Sequence, residues 1–252
     1  MNIKKGESKM SELERIEALE REIRELKGLN EEGIPTYSFS KITDNELKKL
    51  VDIKKSFKDD KFKLWLNNNI NISSKEVKFL VRLLSKYGKF LKGFKEETLK
   101  ANFIIPIINR VDFQSIEYEI SGFYEDVVLY ETDKFIFNGT TDFTVSKGLE
   151  YSEKPYFFIQ EFKKGKVNTD PEPQLLAELI SAVELNNETS MRGAYIVGAI
   201  WNFVILEKLG KDKYQYFVSE NYDSTKIGDL KGIYKNLMFV KYEIIQMIKE
   251  NK

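Results

Sequence analysis

Apolar residues recur at spacings of three and four along the first part of the chain, which predicts helices. Over residues 11–29 the apolar positions are separated by Glu and Arg, a pattern typical of a short coiled coil. Fewer than about three heptads do not hold a dimer by themselves, so an amphipathic helix lying on its own domain fits the same pattern. Gly33 and Pro35 end this helix. The apolar positions are Ile16, Leu19, Ile23 and Leu26.

Two further helices have clear start signals, in which a Ser or Thr precedes a Glu by three positions. This spacing lets the two side chains satisfy the first free backbone N–H groups of a helix. We predict helices over 44–67 and 75–87, the second ended by Gly88. Lysines fill their outer faces, either as a solvated surface or as contacts to phosphate. The start signals are Thr43 with Glu46 and Ser73 with Glu76.

A further helix begins after Gly93, with Glu96 and Glu97 near its start. Carboxylates suit the positive end of a helix dipole, so capping accounts for both residues without a catalytic role. Pro106 is expected to kink or end this helix.

The pattern then changes to runs rich in β-branched and aromatic residues, at 118–131, 134–146 and 156–163. Turn-like stretches separate these runs, which predicts an antiparallel meander. Asn138 and Gly139 interrupt the middle strand and indicate a bulge or sharp bend.

Helical spacing returns at 172–187, and a nearly continuous apolar stretch follows at 191–206. We predict the second as one strand covered on both faces. A shorter strand at 214–219 and a helix at 226–249 close the chain.

This order of elements predicts an α/β fold in which a mixed sheet is flanked by helices and preceded by an N-terminal helical extension. We divide the chain into a coiled-coil-like helix at 1–32, a basic helical region at 33–95, and a core with a C-terminal helix at 96–252.

The composition narrows the chemistry available to the protein. The 252 residues include no Cys and no His, which excludes disulfides, thiolate zinc sites, Ser-His triads and imidazole bases. The 40 basic and 40 acidic residues cancel, but residues 41–100 carry 16 Lys and Arg against 8 Asp and Glu, and residues 101–160 carry 4 against 10. A basic helical region therefore precedes an acidic strand region.

The start of the sequence is charged, which argues against a signal peptide. The longest largely apolar stretch, 194–206, is too short to span a bilayer. We therefore expect a cytoplasmic protein without a membrane partner.

Candidate chemistry lies in the strand region. Asp142 precedes Glu161 by 19 positions, and Glu161 and Lys163 project from the same face of a predicted strand because residues two apart do so. The same face carries apolar residues, so both charges emerge from a buried surface, which is costly unless they pair or meet a metal. A hairpin of this length allows Asp142 to lie beside Glu161.

Two carboxylates and a carbonyl oxygen are the hard ligands that Mg²⁺ or Mn²⁺ prefers. A metal so held would activate a water for hydrolysis of a phosphodiester, with a nearby lysine as helper and without histidine. A surface ion pair between Glu161 and Lys163 is the plainer interpretation of the same residues.

Asp142, Glu161-Phe162-Lys163 and the following helix with Gln174 resemble the core of the PD-(D/E)XK nuclease superfamily, which includes restriction endonucleases and RecB-like nucleases. The resemblance covers about residues 95–205 and includes the order helix, three strands, helix, strand. It implies a restriction-endonuclease-like core in the region 96–252.

The resemblance also implies roles for individual residues. Asp142 and Glu161 would bind Mg²⁺ with the backbone carbonyl of Phe162, and Lys163 would assist the attacking water. Glu97, or alternatively Glu96, would be the helix acid that joins the metal shell. Gln174 resembles the helix glutamine of the RecB-like branch and is a further candidate catalytic residue.

Two positions depart from the family pattern, and two lysines lie next to it. Thr141 occupies the position of the motif's proline, and Glu178 occupies that of a tyrosine in the RecB-like signature. Lys164 and Lys166, just after the triplet, either contact phosphate or keep a loop hydrated.

We therefore expect a Mg²⁺- or Mn²⁺-dependent nuclease, acting on DNA, in restriction or anti-phage defence. The alternatives are a non-catalytic nucleic-acid-binding or assembly subunit that keeps the fold, and a coiled-coil interaction protein in which the triplet is structural. A homo-oligomer through residues 11–29 and a separate protein partner are also expected.

Overall fold

A computed structural model of the chain describes residues 33–57, 59–163 and 170–250, together with positions 23, 26 and 28. Most of the predicted helix at 11–29 therefore lies outside the described residues. Ile23 and Leu26, two members of its apolar stripe, are helical, and their side chains are 48% and 81% exposed.

The region before residue 95 contributes two strands as well as helices. The capping box of Thr43 and Glu46 is confirmed, because each side chain bonds the other residue's backbone N–H. The predicted helix at 75–87 is also confirmed. The elements are β1 (Thr36–Ser38), α1 (Asp44–Leu50), β2 (Asp52–Lys55), α2 (Lys63–Leu66) and α3 (Ser74–Tyr87), with 3-10 turns at Phe39–Lys41 and Asp59–Phe62.

The prediction of one helix over 44–67 is wrong. The chain leaves α1 at Val51 and enters β2, which pairs in parallel with a strand far along the sequence. Val51 and Ile53 are buried while Asp52 and Lys54 are exposed, an alternation of period two that suits a sheet edge. β2 was not predicted because the other apolar residues of 44–67 follow helical spacing.

The helix that follows Gly93 is continuous but irregular. It consists of α4 (Glu96–Leu99), a π-helical turn (Lys100–Ile104) and α5 (Ile105–Val111). The helix does not end at Pro106, because the π-helical turn places this residue in the first turn of α5, where a missing N–H costs little.

The remaining elements follow the predicted order, and the antiparallel meander is confirmed. The predicted helices at 172–187 and 226–249 and the strand at 214–219 are confirmed within one or two residues at each end. The elements are β3 (Ile120–Glu131), β4 (Ile136–Lys147), β5 (Glu153–Lys163), α6 (Pro171–Leu185), β6 (Ser190–Val197), β7 (Ile200–Gly210), β8 (Lys213–Val218), β9 (Tyr222–Asp223) and α7 (Ile227–Glu250).

The prediction of a single strand at 191–206 is wrong. Two antiparallel strands, β6 and β7, are joined by a tight turn at Gly198 and Ala199, and Gly198 has a φ of 62°. The apolar run is continuous because both strands are covered on both faces, so hydrophobicity alone did not reveal the turn.

Of the bulge or sharp bend predicted at Asn138 and Gly139, the bulge is not formed. Gly139 pairs in register with Val128 of β3. Its φ of 147° and its closeness to Phe39 explain the glycine, because an added Cβ would lie 2.9 Å from the Phe39 ring.

Within the described residues, nine strands form one mixed sheet. Its main order is β1-β4-β5-β6-β7-β8-β2, with β3 on β4 and β9 on β7. β5 and β6 are parallel and are connected through α6, whereas most other neighbours are antiparallel. The mixed α/β fold class is thus confirmed.

Apolar side chains cover both faces of this sheet. One cluster joins α3, α5 and α7 to the sheet, and the other joins α1 and α6 to it. β5 is covered on both faces, since Phe158 and Phe162 belong to the first cluster and Ile159 to the second. No helix in the described part of the chain is long and apolar enough to cross a membrane.

Candidate active site

The candidate site lies where the ladder between β4 and β5 stops. β3 occupies one edge of β4 along its length, so β1 and β5 share the other edge, at 136–138 and 143–147 respectively. The ladder pairs Phe143 with Gln160, and the next step would join Asp142 to Glu161. At that step the two strands no longer pair, which leaves Asp142 and Glu161 side by side at a gap.

The Asp142 carboxylate bridges this gap. Its Oδ2 atom accepts a hydrogen bond of 2.7 Å from the backbone N–H of Phe162. The N–H and C=O groups of one strand residue point to the same neighbour, so the Phe162 carbonyl also points toward the β4 side. The structure therefore brings together Asp142, Glu161 and Phe162 from the predicted ligand set.

Glu161 and Lys163 form an ion pair on one face of β5, as their spacing predicts. Lys163 Nζ donates to Glu161 Oε1 at 2.6 Å, and Glu161 is 1% exposed. Glu161 Oε2 is buried and has no hydrogen-bond partner in the described part of the chain. Burial, together with the charge of Asp142, raises the pKa of Glu161 to about 8. Burial alone would lower the pKa of Lys163, but the adjacent Glu161 raises it overall.

Lys100 is a member of the site that the sequence did not predict. This lysine is buried, and its Nζ donates to Asp142 Oδ1 at 2.7 Å. Burial alone would lower its pKa, but the hydrogen bond and charge of Asp142 outweigh burial, and the pKa is raised. Lys100 begins the π-helical turn, and no local sequence signal distinguishes it from the many lysines around it.

Glu178 is a second residue that was not assigned to the site. It is fully buried on α6, and burial followed by the charge of Glu161 raises its pKa well above the ordinary value. Its Oε1 atom accepts a 3.1 Å hydrogen bond from Gln174 Nε2, so Gln174 meets the site through Glu178. The signal was available, since Glu178 is a lone charge in an apolar helical run.

The two helix acids lie at the rim. The Glu97 side chain is 84% exposed, and its Oε1 lies 3.5 Å from Lys100 Nζ. The Glu96 side chain is 34% exposed, with Oε1 at 3.6 Å from the same nitrogen. Both therefore approach the site through Lys100. Lys164 and Lys166 lie outside the described residues.

The donor chemistry of this site fits a hard divalent cation. Asp142 and Glu161 offer carboxylate oxygens. Glu161 Oε2 is a buried acceptor that no hydrogen bond uses in the described part of the chain. In the present arrangement two ammonium groups hold these carboxylates. Among the described residues, no three acidic side chains converge closely enough to hold a metal ion.

No protein-family model matches this chain, and no curated protein matches it significantly. The geometry and chemistry of the site therefore provide the basis for its function.

Proposed function

We propose that this chain is a metal-dependent nuclease that hydrolyses phosphodiester bonds in DNA, and that it serves in restriction or anti-phage defence. The observation that carries the proposal is the buried Glu161, which lies between Asp142 and Lys163 at the end of the β4–β5 ladder. A buried carboxylate with an unpaired oxygen is costly to the fold, and such cost is concentrated at functional sites. The resemblance to the PD-(D/E)XK superfamily assigns the same residues.

In this proposal each residue of the site has a separate role. Asp142, Glu161 and the Phe162 carbonyl would hold Mg²⁺ or Mn²⁺, which supplies a water of lowered pKa and a Lewis acid for a phosphoryl oxygen. Lys163 would orient the attacking water and stabilise negative charge on the phosphate. The Phe162 N–H fixes Asp142, and Gln174 fixes Glu178 behind Glu161.

The test is a cleavage assay on linear, circular and single-stranded DNA and on RNA, with Mg²⁺, Mn²⁺ or EDTA. We expect cleavage that EDTA stops and that Lys163→Ala and Asp142→Ala each reduce by at least about a hundredfold. The matched control is Lys154→Ala, an exposed lysine on the same strand, which should keep activity. A preparation that cleaves none of these substrates in either metal contradicts the proposal.

A second candidate is a non-catalytic nucleic-acid-binding or assembly subunit. The observation that favours it is the ion pair between Lys100 and Asp142, which neutralises a predicted metal ligand without any metal. This candidate predicts nucleic-acid binding that is independent of metal and unaffected by Asp142→Ala, with no cleavage.

We further propose that the protein self-associates through residues 11–29 and that a separate partner supplies any target-reading function. Deletion of residues 1–32 followed by a measurement of mass in solution tests the first point. An oligomer that survives this deletion contradicts it.

A further inference from the structure

Three carboxylates surround one ammonium at the candidate active site. Lys100 Nζ lies 2.7 Å from Asp142 Oδ1, 3.5 Å from Glu97 Oε1 and 3.6 Å from Glu96 Oε1. Asp142 is a predicted metal ligand, and Glu97 and Glu96 are the alternative helix acids. The oxygens that would face a divalent cation therefore face the protein's own cation.

The helix α4 and the π-helical turn after it place Lys100 at this position. Glu96 and Glu97 are its neighbours one helical turn earlier, and the π-helical turn begins at Lys100. Its side chain is 10% exposed, and Nζ lies 5.8 Å from the centre of the Phe162 ring. This lysine is thus held between the helix and the end of β5.

The 2.7 Å separation of Lys100 Nζ from Asp142 Oδ1 is that of a charge-assisted hydrogen bond, whereas the separations from Glu97 and Glu96 are those of longer ion-pair contacts. Mg²⁺ and Mn²⁺ bind oxygen at about 2.0–2.2 Å, whereas charge-assisted hydrogen bonds from nitrogen have lengths of about 2.7–2.9 Å. An ammonium and a divalent ion also repel each other strongly in a site with little water. A divalent ion at Asp142 Oδ1 is therefore disfavoured while the Lys100 ammonium remains beside it.

We infer that Lys100 is a built-in counter-cation that competes with the divalent metal for Asp142, so that metal binds only as the Lys100 ammonium is displaced. The inference rests on the proposed nuclease function. A second observation supports a cation site here, since the adjacent Glu161 is almost completely buried and its Oε2 is unpaired. The flexible lysine stem allows displacement without movement of the helix.

The experiment measures Mn²⁺ binding to the full chain directly, by calorimetry and by electron paramagnetic resonance, without substrate. Lys100→Gln keeps a hydrogen-bond donor for Asp142 but removes the competing charge. We expect it to bind Mn²⁺ roughly ten- to a hundredfold more tightly than the wild-type chain. Lys100→Arg keeps the charge and should restore the weaker affinity.

The matched control is Lys95→Gln, which removes an exposed positive charge at the N-cap of the same helix. It should leave the affinity within about twofold of the wild-type value, because long-range charge effects are screened. If Lys100→Gln does not fold, Lys100→Ala also removes the competing charge and takes its place in the same titration. Binding by Lys100→Ala that is no tighter than that of the wild type overturns the inference.

The outcomes separate the two proposals. In one outcome, Asp142→Ala weakens Mn²⁺ binding, but Lys100→Gln leaves it unchanged or weakens it. This outcome overturns the role of Lys100 as a counter-cation and leaves the nuclease proposal standing. Absence of Mn²⁺ binding by the wild type and by Lys100→Gln, together with absence of cleavage, overturns both. If Lys95→Gln raises Mn²⁺ affinity as much as Lys100→Gln does, the inference is also overturned. The gain in affinity would then come from the lower positive charge in general and not from Lys100 itself.

Discussion

Glu161 is a buried carboxyl group with a high electrostatic cost in the candidate site. Its carboxyl group is almost completely buried, one oxygen is paired with Lys163, and the other has no partner in the described part of the chain. Burial and the charge of Asp142 therefore favour its protonated form, with a pKa of about 8 against an ordinary value of 4.5. In the proposed function, this carboxyl group is a metal ligand.

This shift predicts a dependence of stability on pH. Between about pH 4.5 and about pH 8 the folded chain holds more protons than the unfolded chain, so the free energy of unfolding falls as the pH rises through this window. Glu161→Gln should flatten the slope and remove a change on the order of 4 kcal/mol between pH 5 and pH 8.5. Urea denaturation in EDTA from pH 5 to pH 8.5 measures it.

The control for this measurement is Glu153→Gln, at the exposed start of the same strand, which should keep the wild-type slope. An equal slope in the wild type and in Glu161→Gln would show that Glu161 does not carry the shifted proton.

The site was only partly predictable from the sequence. Asp142, Glu161 and Lys163 were predictable because strand periodicity and a hairpin place them together. Lys100 was not, because its direction depends on the π-helical turn, which has no clear local sequence signal. Glu178 could have been found as a charge within an apolar run, and Gln174 meets the site only through it.

Gly139 provides a second prediction at the level of one residue. Gly139→Ala should lower the free energy of unfolding by about 1–3 kcal/mol, because L-residues disfavour this backbone conformation and the methyl group would collide with Phe39. Denaturant unfolding gives the difference. Gly210→Ala is the matched control, since an added Cβ there meets no atom within 4 Å and should change stability little.

At the level of elements, the helices with strong periodicity were predictable and the short sheet segments were not. α3, α6 and α7 follow their apolar spacing, and α3 also follows its start signal at Ser73. β2 escaped prediction because a strand of four residues is stabilised by pairing with distant β8. The β6–β7 turn was not predicted because both strands are buried, and the polar residues that usually mark a turn are absent between them.

The short helix α2 attaches to α7 through Trp65. Its ring is fully buried, Nε1 donates to the backbone carbonyl of Asn236 at 3.0 Å, and the ring packs against Phe203. Trp65→Ala should lower the free energy of unfolding by about 3–5 kcal/mol. Thermal or urea unfolding measures the loss.

Leu64, the neighbouring residue in α2, is 81% exposed and is the matched control. Leu64→Ala should change stability by less than about 0.5 kcal/mol. Similar losses in the two variants would mean that α2 is held by its backbone and not by the Trp65 side chain.

At the level of the whole molecule, one side of α3 presents a row of exposed basic residues. Lys75, Lys78, Arg82 and Lys86 are exposed on α3 at spacings of three and four, which aligns them along one side of the helix. We call this set the α3 basic stripe. α3 packs against the same apolar cluster as the helix that carries Lys100, so the stripe is a candidate path for a phosphate backbone.

The double variant Lys78→Glu, Arg82→Glu should weaken binding to duplex DNA. It should also reduce the slope of log affinity against log salt by about two, one for each lost phosphate contact. Fluorescence anisotropy at several salt concentrations measures both. Lys213→Glu, an exposed lysine on β8, is the control and should leave the slope unchanged; an unchanged slope in the double variant would remove the stripe from the binding surface.

The pairing of β2 with β8 has a consequence for the order of assembly. It joins Asp52 to Lys213, so one edge of the sheet depends on segments from opposite parts of the chain. During synthesis, β2 can pair with β8 only after most of the chain has been made. In contrast, β3, β4 and β5 pair with strands that are close in sequence. We expect the meander that carries Asp142 and Glu161 to form early, and the β2–β8 edge to close last.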